Sequence, residues 1–188
     1  MLIAYWEQKE IRPAKETAVA LGCFDGVHIG HQKVLSACVD EAQKKGLLPA
    51  AFSFLTPPRV SMTGDDTPIV LNTPEEKADL LAECGIEYLL YADFRGSIRD
   101  MSEEDFVSIV LDSQMRARTV ICGENFTFGK GGAGNVAKLK KLCEERGIET
   151  LILPIVRVDG IPVSSTAIRR SLREGNRELA SRLTGRES

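Results

Sequence analysis

Two histidines stand three positions apart in a glycine-rich turn near the start of the chain. Residues 22–31 read Gly-Cys-Phe-Asp-Gly-Val-His-Ile-Gly-His, and His28 and His31 are the only histidines in the sequence. Glycine lets the backbone approach a ligand closely, and the free N–H groups at a helix start attract anions. Two imidazoles there add hydrogen-bond donors. The pattern favours contact with the phosphates of a nucleotide over two surface histidines in an ordinary loop.

An acidic residue lies inside the same turn. Asp25 either forms or caps the turn, or it orients a ligand group. A carboxylate directed at phosphates would be unfavourable unless a metal ion or a hydrogen-bond donor lay between them. The sequence leaves both roles open.

A second glycine-rich segment could approach the same ligand. Residues 123–134 read Gly-Glu-Asn-Phe-Thr-Phe-Gly-Lys-Gly-Gly-Ala-Gly and follow a predicted strand. Asn125 offers an amide, and Phe126 or Phe128 offers a ring for stacking. The alternative is a surface loop with one aromatic side chain in the core, and taken alone the segment slightly favours that alternative.

A third segment carries hydroxyl groups at a predicted helix start. Residues 163–169 read Val-Ser-Ser-Thr-Ala-Ile-Arg. Hydroxyl residues at this position most often serve as an N-cap. With Arg169 one turn further along, the hydroxyls, the backbone N–H groups and the guanidinium could bind an anion together. Combined with the histidine pair, this segment predicts a polyphosphate held from two sides.

Alternating strand and helix patterns position these three segments. The predicted strands cover residues 17–23, 48–55, 86–91, 119–123 and 149–156, and the predicted helices cover 31–45, 73–83, 102–115, 135–146, 164–174 and 176–183. Strands separated by helices of this length indicate βαβ units and a mostly parallel sheet. Ligands of such sheets bind beyond the carboxyl ends of the strands, which is where the candidate segments fall.

Composition indicates one ordinary globular domain over residues 1–188, in which 43% hydrophobic residues can fill a core. The net charge of −3 argues against a nucleic-acid partner. No apolar run approaches the ~20 residues of a membrane span, and the first residues contain no signal-peptide core. Five scattered cysteines without a C-x-x-C pair indicate reduced thiols in a cytoplasmic protein, and no protein-bound metal.

The three motifs resemble those of the bacterial FAD synthetases, the FMN adenylyltransferase modules of prokaryotic bifunctional riboflavin kinase/FAD synthetases. The resemblance runs over residues 18–185, with the motifs in the expected order. H-x-G-H and S-S-T-x-x-R alone would indicate only the wider nucleotidyltransferase superfamily, whereas F-D-G-V-H-x-G-H with E-N-F-T-F-G is more specific to the flavin branch. The resemblance implies a Rossmann-like nucleotidyltransferase fold, α/β with a mostly parallel sheet flanked by helices.

The resemblance also implies a reaction and a set of site residues. The FMN phosphate attacks the α-phosphorus of ATP in line, without a covalent enzyme intermediate, and gives FAD and pyrophosphate. Mg²⁺ would arrive with the ATP. The implied catalytic residues are His28, His31, Asn125 and Arg169. The implied ATP-binding residues are Gly22, Phe24, Gly26, His28, His31, Ser164, Ser165, Thr166 and Arg169. The implied flavin-binding residues are Phe54, Asn125, Phe126 and Phe128.

The chain departs from the family pattern at two places. The family's Phe-x-Pro-His-Pro segment reads Phe-Leu-Thr-Pro-Pro over residues 54–58, so Pro57 replaces the histidine and the flavin-side loop is altered. The riboflavin kinase module that the family carries after this module is not found in the sequence. The expected partners are therefore the small molecules ATP and FMN and a riboflavin kinase on a separate chain.

Two alternative functions stay open. Another small nucleotidyltransferase, of the cytidylyltransferase or pantetheine-phosphate adenylyltransferase type, would share the histidine pair and a related C-terminal motif. A non-catalytic relative that binds flavin or nucleotide would be consistent with the altered Pro57 segment. The Asn-Phe-Thr-Phe-Gly segment over residues 125–129 favours FMN as the acceptor.

Overall fold

The computed structural model describes residues 1–8, 11–56, 71–94 and 96–186. The sequence interpretation of Pro57 and its neighbours lies outside the described residues.

A six-stranded parallel sheet forms the centre of the molecule. Its strands are β1 (Leu2–Tyr5), β2 (Thr17–Leu21), β3 (Leu48–Phe54), β4 (Tyr88–Ala92), β5 (Ala117–Gly123) and β6 (Glu149–Leu153). They lie in the order β1-β4-β3-β2-β5-β6, and all neighbouring pairs are parallel. Two short antiparallel strands, β7 (Arg157–Val158) and β8 (Ile161–Pro162), form a separate hairpin. The predicted α/β class with a mostly parallel sheet is confirmed.

Helices connect the strands and close the chain. They are α1 (Ile29–Lys45), α2 (Pro74–Glu83), α3 (Glu103–Asp105), α4 (Val136–Glu144), α5 (Ser165–Arg173) and α6 (Arg177–Thr184). Helix α3 continues as a π-helix over Phe106–Gln114, in which the Met115 N–H donates to the Val110 carbonyl over 2.9 Å. Within the described residues, no helix has the length and apolar character needed to cross a bilayer.

Local sequence signals place the helix starts. Thr73 and Glu76 form a capping box at α2, in which the Glu76 N–H donates to Thr73 Oγ1 over 3.1 Å and the Thr73 N–H donates to Glu76 Oε2 over 2.8 Å. Pro74 occupies the first helical position, where its missing N–H costs nothing. The predicted start of this helix is confirmed.

Strand β2 lies between two hydrophobic layers, and all 5 of its residues are buried. Val19 and Leu21 belong to the layer that includes the π-helix and α4, whereas Ala18 and Ala20 belong to the layer that includes α1 and α2. The small alanines let α1 lie close to the sheet, and the Cys38 thiol donates to the Ala18 carbonyl over 3.1 Å. This packing fixes α1, and with it the turn at its start, against the sheet.

The structure also contains elements that the sequence patterns did not predict. Strand β1 pairs with β4 at the edge of the sheet, although residues 1–15 mix charged and apolar groups without a clear period. The hairpin of β7 and β8 was likewise not predicted, and the helix predicted over 102–115 is mostly a π-helix. Short pairings and a change from i+4 to i+5 hydrogen bonds leave little trace in hydrophobic periodicity.

Candidate active site

The strand order reverses beside β2, and this defines a crevice at the carboxyl end of the sheet. From β2 the chain adds β3 and then β4 on one side, and β5 later pairs with the other side of β2. The loops that follow β2 and β5 therefore flank a topological switch point, where ligands of open parallel sheets bind. Both glycine-rich segments of the sequence occupy these two loops.

His28 and His31 lie in contact at the start of α1. Their rings are stacked, with centroids 3.5 Å apart and an interplanar angle of 13°. His28 is the N-cap of α1, and its Nδ1 accepts from the His31 backbone N–H over 3.2 Å. A Cβ at Gly30 would lie 3.2 Å from the His28 ring, so glycine leaves room for this arrangement. The spacing of the two histidines and the glycine between them thus places both imidazoles at a helix N-terminus.

Both imidazoles are held neutral by their surroundings. Burial, with a smaller contribution from the positive charge of Arg186, lowers the pKa of His28 from its ordinary 6.5 to about 4. Burial is also the main cause that lowers the pKa of His31 well below 6.5, and the charges of His28 and Lys77 add to it. Among the described residues, no group forms a hydrogen bond with the buried Nδ1 of His31. Each ring can therefore act as a neutral hydrogen-bonding group at neutral pH.

The backbone of the turn before α1 is strained. Phe24 has a φ of 47° and Val27 a φ of 36°, a region that residues with a Cβ rarely adopt. Gly26 has a φ of 80°, and a Cβ there would lie 2.9 Å from the Leu71 side chain. Phe24 is fully buried, and its ring meets that of His31 edge to face at 5.2 Å. Backbone conformations of this kind persist only where the surrounding packing holds them in place, and they occur most often at functional sites.

Helix α5 is attached to this turn through Asp25. Ser165 Oγ donates to the Asp25 carbonyl over 2.8 Å, and the Arg169 guanidinium forms an ion pair with the Asp25 carboxylate, which is 4% exposed. Ser164 is the N-cap of α5 and accepts from the Ala167 N–H over 3.1 Å. The hydroxyl segment and the histidine turn are therefore in direct contact. The Asp25 carboxylate is therefore paired with a guanidinium, and the ion pair orients Arg169, the predicted anion-binding arginine.

The end of α6 holds the other side of the turn. Gln32 Nε2 donates to the Val27 carbonyl over 2.9 Å and to the Thr184 carbonyl over 3.0 Å. Arg186 donates to the Gly26 carbonyl. Sequence reasoning did not identify Gln32 or Arg186, because their contacts between the turn and the end of α6 join positions 152 and 160 residues apart.

Aromatic rings connect the ends of β3 and β5. Phe54, at the end of β3, meets Phe94 edge to face at 5.4 Å, and through Phe52 and Phe106 the ring contacts continue to the loop after β5. There Phe126 and Phe128 are stacked with centroids 6.0 Å apart. Phe126 and Phe54 are partly buried.

Phe128 and Asn125 differ in exposure although both were predicted to contact flavin. Phe128 is only 6% exposed and packs in the core, and its loop is closed by reciprocal backbone hydrogen bonds with Gly134 of 3.1 and 2.9 Å. The ring of Phe128 therefore leaves little surface for a ligand, in line with the alternative reading of one aromatic side chain in the core. Asn125 is exposed, with its Oδ1 close to the backbone of Gly123.

A buried lysine behind the turn is a further residue that sequence reasoning did not single out as part of the site. Lys77 of α2 is 1% exposed, and its Nζ donates to the Phe54 carbonyl over 2.6 Å. Its position after Glu-Glu at an amphipathic helix start is typical of an exposed residue, so the sequence contains no local signal of this burial.

The described residues do not form a metal centre of their own. No group of three or more His, Cys, Asp or Glu side chains that could hold a metal ion occurs among them. The acidic group nearest the histidine turn, Asp25, is already paired with Arg169.

Comparisons of the sequence with known proteins indicate one family. A family model described as FAD synthetase matches residues 10–167. The bifunctional riboflavin kinase/FMN adenylyltransferase of Escherichia coli (strain K12) is 31% identical over 173 residues, which are 92% of this chain and 55% of that protein. The protein of the same name from Listeria monocytogenes is 33% identical over 168 residues, which are 89% of this chain and 53% of that protein. The chain thus spans about half the length of these relatives.

A solved structure has the same fold. A crystal structure described as a macrolide-efflux protein from Streptococcus pneumoniae superposes with a TM-score of 0.86 at 26% sequence identity. The superposition covers 99% of this chain and 60% of that chain. The overall fold is therefore similar over almost all of this chain.

Proposed function

Because the chain belongs to the FAD synthetase family, we propose that it transfers AMP from ATP to FMN and releases pyrophosphate. The observation that carries this proposal is the stacked pair of neutral imidazoles at the N-terminus of α1, facing a second helix start that carries hydroxyls and an arginine. This arrangement offers hydrogen-bond donors to a polyphosphate from two directions.

The proposed reaction needs no nucleophile from the protein. An oxygen of the FMN phosphate forms a bond with the α-phosphorus of ATP, the bond from that phosphorus to the bridging oxygen breaks, and pyrophosphate leaves with the electron pair. Catalysis is then positioning of the two phosphates and stabilisation of the charge that develops on them. The protein supplies helix N-termini, imidazoles and a guanidinium for this purpose.

We assign His28 a proton on Nε2. Its Nδ1 accepts from the His31 backbone N–H, so in the neutral ring the proton lies on the other nitrogen, which can donate to a phosphate oxygen. His31 stacks directly against it and is the residue we propose to contact the transition state. The hydroxyls of Ser164, Ser165 and Thr166 and the guanidinium of Arg169 are proposed to bind the β- and γ-phosphates.

The adenosine and flavin sides are proposed from the loops. Gly22, Phe24 and Gly26 shape the turn beside the adenosine, and Phe54, Phe126 and Asn125 lie at the strand ends where a flavin ring could stack. Mg²⁺ is proposed to arrive on the triphosphate of ATP. FMN is the product of riboflavin phosphorylation, so the site would take the product of a riboflavin kinase.

One assay tests this function. The purified chain is incubated with FMN, ATP and Mg²⁺, the flavins are separated by chromatography, and pyrophosphate is measured in parallel. We expect FAD and pyrophosphate in equal amounts. Riboflavin in place of FMN is the control, because it lacks the attacking phosphate and should give no product. Saturable ATP binding without FAD would contradict the proposal and would point to another acceptor or to a non-catalytic nucleotide-binding protein.

A further inference from the structure

Lys77 is a buried cation without a countercharge in direct contact. It is 1% exposed, and no carboxylate of the described residues forms an ion pair with its ammonium. Nζ donates to the Phe54 carbonyl over 2.6 Å and lies 5.4 Å from the centre of the Tyr91 ring. A buried lysine ammonium loses its hydrogen bonds to water, and one carbonyl and one aromatic ring face compensate for that loss only in part.

The contacts of Lys77 belong to a chain of hydrogen bonds that reaches the histidine turn. The Tyr91 hydroxyl donates to the Pro74 carbonyl over 2.8 Å, which attaches α2 to β4. The Lys77 ammonium attaches α2 to the last residue of β3. One residue earlier in β3, Ser53 Oγ donates to the Cys23 carbonyl over 2.9 Å, inside the turn. The ammonium therefore links α2 and β4 to the strand end on which the turn is anchored.

The charge of Lys77 also acts directly on the site. Its positive charge acts on His31 and contributes to holding that imidazole neutral. Lys77 itself is faced by Asp25 and Cys23 of the turn, and burial lowers its own pKa. The positive charge of Arg186 acts on His28. The turn thus lies in the field of two cations on different elements, which favours a bound anion.

We propose that Lys77 is a positioning residue for adenylyl transfer, whose ammonium fixes the end of β3 beneath the histidine turn and provides a positive charge behind the phosphates. This role rests on the proposed function. Packing alone does not require a lysine there, because an apolar side chain of similar length can fill the space. The charge is therefore kept for the site.

The test compares two substitutions of Lys77 with a matched lysine elsewhere. Lys77→Met keeps length and burial but removes the charge and the donor, whereas Lys77→Arg keeps both. Lys45→Met is the control, since Lys45 at the far end of α1 bonds Thr119 Oγ1 and Glu149 and lies outside the site. Each variant is measured for thermal unfolding, for kcat and KM of FAD formation, and for the imidazole titration of His31 by NMR. The chain has only 2 histidines, which makes their signals easy to assign.

We expect Lys77→Met to remain folded, to lose about 100-fold in kcat with a smaller change in KM for ATP, and to raise the pKa of His31. Lys77→Arg should keep the lowered pKa of His31 and recover part of kcat, and Lys45→Met should match the wild type. A purely structural role would leave the His31 titration unchanged.

Three results would overturn this role. One is turnover of Lys77→Met within about threefold of the wild type, another is a loss of turnover with an unchanged His31 titration, and the last is a Lys77→Met chain that is unfolded at the assay temperature. The titration is made without substrates. A wild-type chain that forms no FAD would therefore refute the proposed function, while the His31 signal still tests Lys77 by itself.

Discussion

Replacing His28 by asparagine separates the N-cap that His28 provides from its proposed role as a hydrogen-bond donor to phosphate. Asparagine at the same extended backbone, with φ −67° and ψ 169°, is a preferred N-cap and can accept from the His31 N–H. It has no counterpart to the imidazole Nε2 at the same reach. Alanine at this position removes both groups.

The two variants should differ in how much stability they lose. His28→Ala loses an N-cap, which costs about 1 kcal/mol and lowers the melting temperature by roughly 2–4 °C for a chain of this size. His28→Asn should remain within about 0.5 kcal/mol of the wild type, since Asn is among the best N-cap residues. Both variants should lose about 10²–10³ in turnover, the usual effect of removing one preorganised donor to developing charge.

The assay is FAD formation at saturating ATP and FMN, paired with thermal unfolding of the same samples. Asn135→Ala is the matched control, because Asn135 caps α4 by accepting from the Lys138 N–H over 3.0 Å and lies outside the proposed site. It should lose a similar amount of stability and keep its turnover. The donor role is refuted if His28→Asn turns over near the wild-type rate, and the capping argument fails if His28→Ala is as stable as the wild type.

Three further predictions follow from the same geometry. His31→Ala should lower FAD formation by about 10²–10³ while ATP binding, measured by calorimetry, weakens less; near-normal turnover would exclude His31 from the transition state. Asp25→Asn should lower the free energy of unfolding, measured in urea, by about 3 kcal/mol, because it removes the ion pair between Asp25 and Arg169. An unchanged urea midpoint would show that this ion pair does not stabilise the chain. The free energy of unfolding should fall as the pH drops from 7 to 4. His28 should contribute up to about 3 kcal/mol to this fall, because its imidazole binds a proton near pH 6.5 in the unfolded chain and only near pH 4 in the folded chain. His28→Asn should flatten that slope, and an equal slope in both proteins would contradict the lowered pKa.

Local chemistry made most of the fold predictable from the sequence. Thr73, Ser102, Asn135, Ser164 and Asn176 all act as N-caps in the structure, and each stands directly before a helix or at the first residue of a predicted one. Such signals need only neighbouring residues, so they can be found without knowing the fold. The same holds for the continuous apolar runs of buried parallel strands.

The contacts that complete the candidate site could not be predicted in this way. The pairing of Asp25 with Arg169 joins positions 144 apart, and nothing in either segment states that the two meet. Lys77 occupies a helix position whose pattern indicates exposure, and only the convergence of α2, β3 and β4 buries it. The sequence could identify the segments proposed to bind phosphate, but the charges that act on them depend on tertiary structure.

The charge state of the site links these observations. Two imidazoles stacked at 3.5 Å cannot both carry a positive charge without strong repulsion, and Lys77 and Arg186 oppose such charges further. A bound triphosphate would act against this balance, since its negative charge favours the protonated form of an imidazole beside it. Burial and the cations around the turn therefore keep the histidines neutral, and the same cations would stabilise the phosphates of a bound ATP. In this arrangement ATP binding should be accompanied by proton uptake near neutral pH, which calorimetry in buffers of different ionisation enthalpy would detect. Binding without proton uptake would show that the imidazoles stay neutral throughout and act as hydrogen-bond donors alone.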